Sequence, residues 1–420
     1  MSQSFPSTDP DSVLYGAQTR LSVQNFGAPT RRLQDIPSFI VYYALIKQAA
    51  ATANRDLGVL DDRRSDAIIS ACQEVASGAH LQQFPTALVL GGGGTTANMN
   101  LNEVIAARAS QLGGLPVHPN DHVNASQSTN DTFPTAMALT LIHLAAEPIA
   151  ALDQLKSALS DQAAIQKDTR YLGRTCLQDA VSLCAGHTLQ AQAQAVDRCR
   201  QGLNASVTAL SKVPLGATIL GTGIGSPDGF GPACMTQLQD LIEFSISESE
   251  DWYDSLAHLD SYAAVADAAA RAAITVAKIA SDLRLRSSGP RGGFAEVTLP
   301  ILQAGSSIMP AKANPVVPEY VMQLSYRIRG AAYTVSCAVA AGELELNIME
   351  PIIIDSLINI FTDLERSCTT LATLCIKGLK WDGVRGGENL SSALDGWVSM
   401  AAKSGYGTAS RARDDSTQKP

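Results

Sequence analysis

Four polar segments of this chain carry side chains suited to binding an anion and moving a proton. Gly91–Val104 reads GGGGTTANMNLNEV, four glycines followed by two threonines. Glycines let backbone amides approach a ligand closely, and the Thr95 hydroxyl can join them. No Gly-Lys-Ser/Thr follows, so this is not a nucleotide P-loop. His118–Leu139 reads HPNDHVNASQSTNDTFPTAMAL, with Ser128, Thr129 and Asn130 just ahead of an expected helix that has Pro134 in its opening turn. Hydroxyls and unpaired N–H groups at a helix N terminus favour a carboxylate. Ordinary N-capping by Asn130 or Asp131 explains the same residues, and His118 fits a surface position as well as a ligand contact. Gly173–Val181, GRTCLQDAV, says little in isolation. Gly305–Glu319, GSSIMPAKANPVVPE, sets a Gly-Ser-Ser turn near Lys312 and Asn314, a cation and an amide; taken singly it also fits a mobile surface loop. Together the four point to a composite anion pocket.

The elements that must position them are helical. Helical signal begins at Asp35-Ile36-Pro37, with proline in the first turn. It runs from Ser38 to Leu57, stops at Gly58, and resumes from Asp62 to Ser77. Further helices are expected near 134–166, 182–211, 230–246, 258–286, 314–341 and 350–377. Several exceed about 25 residues, lengths typical of bundles. Aromatics are only 5%, so small side chains allow close helix packing, and strand-like alternation is scarce. The expected architecture is therefore all-α with a central bundle of long helices. Gly91–Asn102, Pro119–Pro134, Gly173–Val181, Pro214–Ser226 and Ser287–Pro315 read as loops, residues 1–36 as an irregular arm, and RARDDSTQKP as a disordered tail.

The 420 residues are 45% hydrophobic and 17% charged, enough for two or three domains. Forty acidic against 31 basic residues give a net charge of -9 without any Lys/Arg run, which argues against a nucleic-acid partner. A local positive pocket for a small anion remains compatible with that charge. Eight scattered cysteines, none in a CxxC pair, read as free thiols in a reducing compartment. The polar N terminus lacks a signal-peptide core, and no uninterrupted apolar run reaches about 18 residues. The expectation is a cytoplasmic protein with no membrane partner.

The segment GSSIMPAKANP is similar to the GSSxMPxKxNP signature of the aspartase/fumarase superfamily. SQSTND, NMNLNEV and GRTxLQDA resemble its other characteristic stretches in the expected order, from about Leu14 to Ala409. QDIPSF, LRLRSSGPRGG, AKANPVVPE and LNIMEP look more like the ammonia-lyase branch than the hydratase branch.

The resemblance implies a three-domain fold, here 1–128, 129–380 and a shortened 381–420, whose central bundle forms a homotetrameric core with composite active sites. It implies reversible anti elimination of ammonia from L-aspartate, giving fumarate through an aci-carboxylate, without metal or organic cofactor. Ser306, with Ser307 beside it, would be the general base. Thr95, Ser128 and Thr129 would hold the carboxylate next to the departing proton; Thr175, Lys312 and Asn314 would hold the other. Asn130 would contact the amine, with His118 in support. Two departures stand out. Cys176 occupies a position where many relatives carry a His paired with a Glu, while the matching Glu319 is present. Gly225 stands where relatives usually have Asn. The cysteine leaves room for a lyase of an N- or C3-substituted aspartate and counts against a fumarate hydratase. A catalytically silent homologue is opposed by retention of Ser306, Lys312 and Asn314.

Overall fold

A computed structural model of the chain describes residues 13–27 and 31–417, with side chains described as far as 413. About 65% is helical. The α-helices run, in chain order, α1 Ala17–Phe26, α2 Pro37–Asp56, α3 Asp62–Ala76, α4 Thr95–Gly113, α5 Thr129–Ile165, α6 Ala185–Ala209, α7 Phe230–Gln239, α8 Trp252–Ala257, α9 Asp260–Arg286, α10 Val316–Val339, α11 Glu350–Leu374, α12 Gly383–Leu390, α13 Asp395–Ser404 and α14 Tyr406–Thr417. Among the described residues the strands are β1 Arg170–Thr175 with β2 Gln178–Cys184, and two two-residue pairings: β3 Lys212–Val213 with β4 Ser247–Glu248, and β5 Val297–Thr298 with β6 Lys380–Trp381. The all-α expectation holds.

Five helices are long: α5 has 37 residues, α6 25, α9 27, α10 24 and α11 25. Their buried positions recur at helical spacing. In α9 these are Val265, Ala269, Ala272, Val276, Ile279 and Leu283; in α11, Ile353, Leu357, Ile360, Leu364, Cys368 and Leu371. By length and mean hydropathy part of α5 could cross a bilayer, but it is not an uninterrupted apolar run and 61% of it is buried within the protein, as in a core helix.

The described residues form two compact units. The first takes its residues from Met1–Ala146, Leu203–Ala268 and Arg329–Phe361. Here α3 packs on α2 and α4, and α7 on α2. An aromatic cluster of Phe39, Tyr43 and Phe133 sits among them, with Phe39–Phe133 centroids 5.3 Å apart. The second unit takes its residues from Glu147–Gly202, Ala269–Ile328 and Thr362–Pro420. In it the β1–β2 hairpin meets α12 and α13. Asp395 accepts from the Ser182 backbone N–H and hydroxyl at 3.0 and 2.9 Å, and Leu394 N–H reaches Ala180 O at 2.8 Å.

Four expectations need correction. The arm of 1–36 contains α1, because Glu103 of α4 caps its first turn: it accepts from the N–H groups of Gly16, Gln18 and Thr19 and the Thr19 hydroxyl at 2.7–3.2 Å. Residues 1–12 lie outside the described structure. The Gly91–Asn102 loop ends at Gly94, where α4 begins. Gly173–Val181 is a hairpin, and β2 takes the start of the helix expected at 182. The polar tail is helical through Thr417 in α14, and 418–420 lie outside the described residues.

Candidate active site

In the first unit the glycine run is a turn into α4. Gly92, Gly93 and Gly94 all have positive φ (88°, 55° and 84°). At Gly94 an added Cβ would sit 2.2 Å from Phe133 Cδ2, so both backbone and packing demand glycine. Thr95, exposed at the first position of α4, donates to Gly92 O at 2.8 Å. Asn98 follows three residues later, on the same helix face.

The N terminus of α5 is capped by Ser128, rather than by Asn130 or Asp131 as entertained from sequence. Ser128 Oγ accepts from Asn130 N–H at 3.2 Å, and Asp131 Oδ1 accepts from Ser128 N–H at 3.0 Å, a capping-box arrangement. Asn130 Nδ2 donates to Ile219 O at 2.8 Å, and Asp131 Oδ2 accepts from Thr218 and Gly216 N–H at 3.0 and 3.3 Å. The 216–219 turn is thereby tied to the helix start. Thr129 Oγ1 accepts from Asn98 Nδ2 at 2.9 Å. His118 is exposed and caps Pro119–Val123, accepting from Asp121 N–H at Nδ1.

Beneath this surface lie two buried ionisable groups, of which only Asp131 was considered from sequence, and then as a cap. Lys47 and Asp131 are both fully buried. Desolvation lowers the Lys47 ammonium and raises the Asp131 carboxyl; each charge opposes the other's shift, and backbone amides also hold Asp131 down.

In the second unit, Thr175 and Cys176 stand at the tip of the hairpin. Thr175 pairs with Gln178, and the two turn residues, Cys176 and Leu177, both have positive φ (51° and 61°). Two-residue hairpins prefer that backbone but usually fill it with Gly or Asn. The hairpin is anchored by Arg174, whose Nη1 lies 2.7 Å from Glu296 Oε1 and whose guanidinium stacks 4.4 Å from the Phe294 ring centroid. Glu296 is completely buried. It also accepts from Arg286 Nη1 at 2.8 Å and Asn389 Nδ2 at 3.2 Å.

The Ser306 loop has its own clamp. Gly305 N–H donates to Lys312 O at 3.0 Å, and Asn314 Nδ2 donates to Gly305 O at 2.8 Å. A Cβ on Gly305 would fall 2.4 Å from Lys312 O, so the neck of the loop closes only on glycine. Ser306 Oγ accepts from Met309 and Ile308 N–H at 3.0 and 3.3 Å. Ser307 and Lys312 are exposed. Glu319 sits in the first turn of α10, 3.5 Å from Arg284 Nε.

The structure thus gathers Thr95, Ser128, Thr129, Asn130 and His118 in one unit. It gathers Ser306, Ser307, Lys312, Asn314, Glu319, Thr175 and Cys176 in the other, with separate anchors for the hairpin and the loop. Of the residues that hold these groups, Lys47 and Glu296 lie outside the four polar segments singled out from sequence; Asn98, Asn124, Asp131 and Arg174 lie within those segments, but their supporting roles emerge only from the structure.

A family profile described as Lyase matches residues 6–330. Aspartate ammonia-lyase of Escherichia coli K12 is 38% identical over 377 residues, covering 88% of this chain and 79% of that protein. Fumarate hydratase class II 1 of Pseudomonas aeruginosa is 36% identical over 393 residues, covering 92% and 84%. Among solved structures, a cobalt-bound fumarate lyase:delta crystallin from Brucella melitensis superposes with a TM-score of 0.90 at 34% identity, covering 95% and 88%. A class II fumarase from Schistosoma mansoni gives 0.89 at 31%, covering the same shares. The chain belongs to this lyase family, the aspartase/fumarase superfamily, and is an aspartate ammonia-lyase-like carbon–nitrogen lyase.

Proposed function

We propose that the protein eliminates ammonia reversibly from L-aspartate to give fumarate, with Ser306 as general base. The observation that supports this most directly is the pair of backbone N–H groups aimed at Ser306 Oγ. A serine hydroxyl is a very weak base in water. Two fixed amide donors on its oxygen stabilise the alkoxide relative to the alcohol, and Lys312 in the same loop adds positive potential. Ser306 takes the Cβ proton, and the electron pair moves onto the adjacent carboxylate as an aci-carboxylate. That intermediate collapses to the alkene as the Cα–N bond breaks and ammonia leaves.

In this reading Thr95, Ser128 and Thr129 hold the carboxylate that receives the charge, helped by the positive end of α5. Thr175, Lys312 and Asn314 hold the other carboxylate, and Asn130 lies at the amine. The three segments 1–128, 129–380 and 381–420 act as domains of one protomer. The sites are completed across protomers of a cytoplasmic homotetramer.

The exposed Cys176 thiol beside Thr175 supports a second reading. Cysteine is smaller than histidine and a poor hydrogen-bonding group, which leaves space for an N- or C3-substituted aspartate. Fumarate hydration has support in the hydratase relative but is opposed by the same residue.

Following fumarate absorbance with millimolar L-aspartate at pH 7–9 tests the first reading; a flat trace rejects it. Turnover only in the addition direction, with substituted amines, favours the second, and malate formation without amine favours hydration. Ser306→Ala should lower kcat by at least about 10²-fold, the lower end of general-base effects. Retained turnover in that variant removes Ser306 from the role.

A further inference from the structure

Lys47 is completely buried in the middle of α2, yet it is tied to the start of α5. Its Nζ donates to Asn124 Oδ1 at 2.9 Å, an oxygen that also accepts from Asn98 Nδ2 at 3.1 Å and Asn102 Nδ2 at 3.2 Å. Asn124 Nδ2 is fixed in turn on Gln127 O at 3.1 Å, which sets the orientation of the amide. The same Asn98 Nδ2 then reaches Thr129 Oγ1 at 2.9 Å. Three short contacts therefore carry the lysine to the first residue of α5. Three donors on one amide oxygen is crowded for a neutral acceptor, and Asn98 Oδ1 and Asn102 Oδ1 are buried without a hydrogen-bond partner among the described residues. Burying an ammonium and two half-satisfied amides together is costly for stability alone.

We propose that Lys47 is a positioning residue for dicarboxylate binding: through Asn124 and Asn98 it orients the Thr129 hydroxyl and places a positive charge behind the carboxylate subsite at the start of α5. The inference rests on the function proposed above and deepens it, since it assigns this subsite a buried counter-charge. Asp131, engaged by three backbone amides, is the main opposite charge acting on the ammonium; it offsets part of the desolvation, which still lowers Lys47 to about 7. Cys72 and Cys234 complete the titratable surroundings of the ammonium, and burial raises both thiols, so they stay neutral. The three contacts keep Thr129 Oγ1 within about 9 Å of Nζ, so an anion on that hydroxyl lies within about 12 Å, where a unit charge at an effective dielectric constant of about 20 is worth on the order of tenfold in affinity.

The test uses the full-length protein at pH 7. Succinate, a non-reacting dicarboxylate, reports on binding by calorimetry, and L-aspartate on KM and kcat. Lys47→Met should weaken succinate and raise KM by about tenfold, with kcat changed less than threefold. A purely structural lysine would instead lower the active fraction, and hence kcat, at unchanged KM. If Lys47→Met does not fold, Asn98→Ala decides: it breaks the relay while keeping the charge, and should weaken succinate at least threefold. A folded Lys47→Met that binds succinate like wild type overturns the proposal, as does unchanged binding by Asn98→Ala when Lys47→Met cannot be made. Failure of the wild-type protein to bind succinate or consume aspartate is a separate result. It removes the parent reading and this inference with it.

Discussion

Replacing Glu296 by Gln should loosen the hairpin that carries Thr175. The carboxylate is fully buried, while its partners Arg174 and Arg286 retain 13% and 22% side-chain exposure. Glutamine keeps the shape but removes the charge, and its NH2 group must face a guanidinium or Asn389, a donor against a donor. Breaking a buried pair by neutralising one partner costs about 3–5 kcal/mol. The partial exposure of both arginines places this case at the lower end, about 3 kcal/mol. With an m-value of about 3 kcal/mol/M, the urea midpoint should fall by about 1 M. Arg286 also lies 4.4 Å from the Tyr171 ring centroid, so a freed guanidinium keeps one contact and the cost should not exceed this range. Urea unfolding followed by circular dichroism measures the change, and kcat/KM reports whether the hairpin tip has moved. A shift below about 0.3 M would refute the electrostatic anchor. An unshifted midpoint with collapsed activity would place the role of Glu296 in the chemistry instead.

Other substitutions probe separate links. Gly94→Ala would force a Cβ into the Phe133 ring at a positive φ and should cost at least about 2 kcal/mol, read from the thermal midpoint; a neutral outcome would mean that the α4 turn yields easily. Glu74 is held down to about 2, first by hydrogen bonds from Arg108 and then by His80, so its contribution is present above about 4.5 and disappears as pH falls towards 2. Glu74→Gln should therefore cost about 1–2 kcal/mol at pH 7, discounted for its one-third exposure, and almost nothing at pH 2; an equal cost at both pH values would contradict the assigned cause.

Superfamily membership and the helical fold were legible in the residues themselves. Long Ala/Leu-rich stretches with few aromatics and little proline can satisfy their backbone and bury their stripes only as packed helices, and GSSIMPAKANP is a long, ungapped match to the superfamily signature. Local chemistry also placed the ends of many helices, such as Pro37 at the start of α2 and Gly58 beyond its end. It failed where the deciding partner was distant in sequence. The first turn of α1 is capped from Glu103, more than eighty residues away, so its own sequence reads as coil. Polar GRTCLQDAV becomes a hairpin because Arg174 meets Glu296, itself held by Arg286, over a gap of more than a hundred residues. The groups that could do chemistry stand in compact motifs, readable because a ligand must be met by neighbouring hydroxyls and amides. Two of their supports, Lys47 and Glu296, belong to no motif, since burial and pairing are properties that a side chain acquires only when the helices close around it.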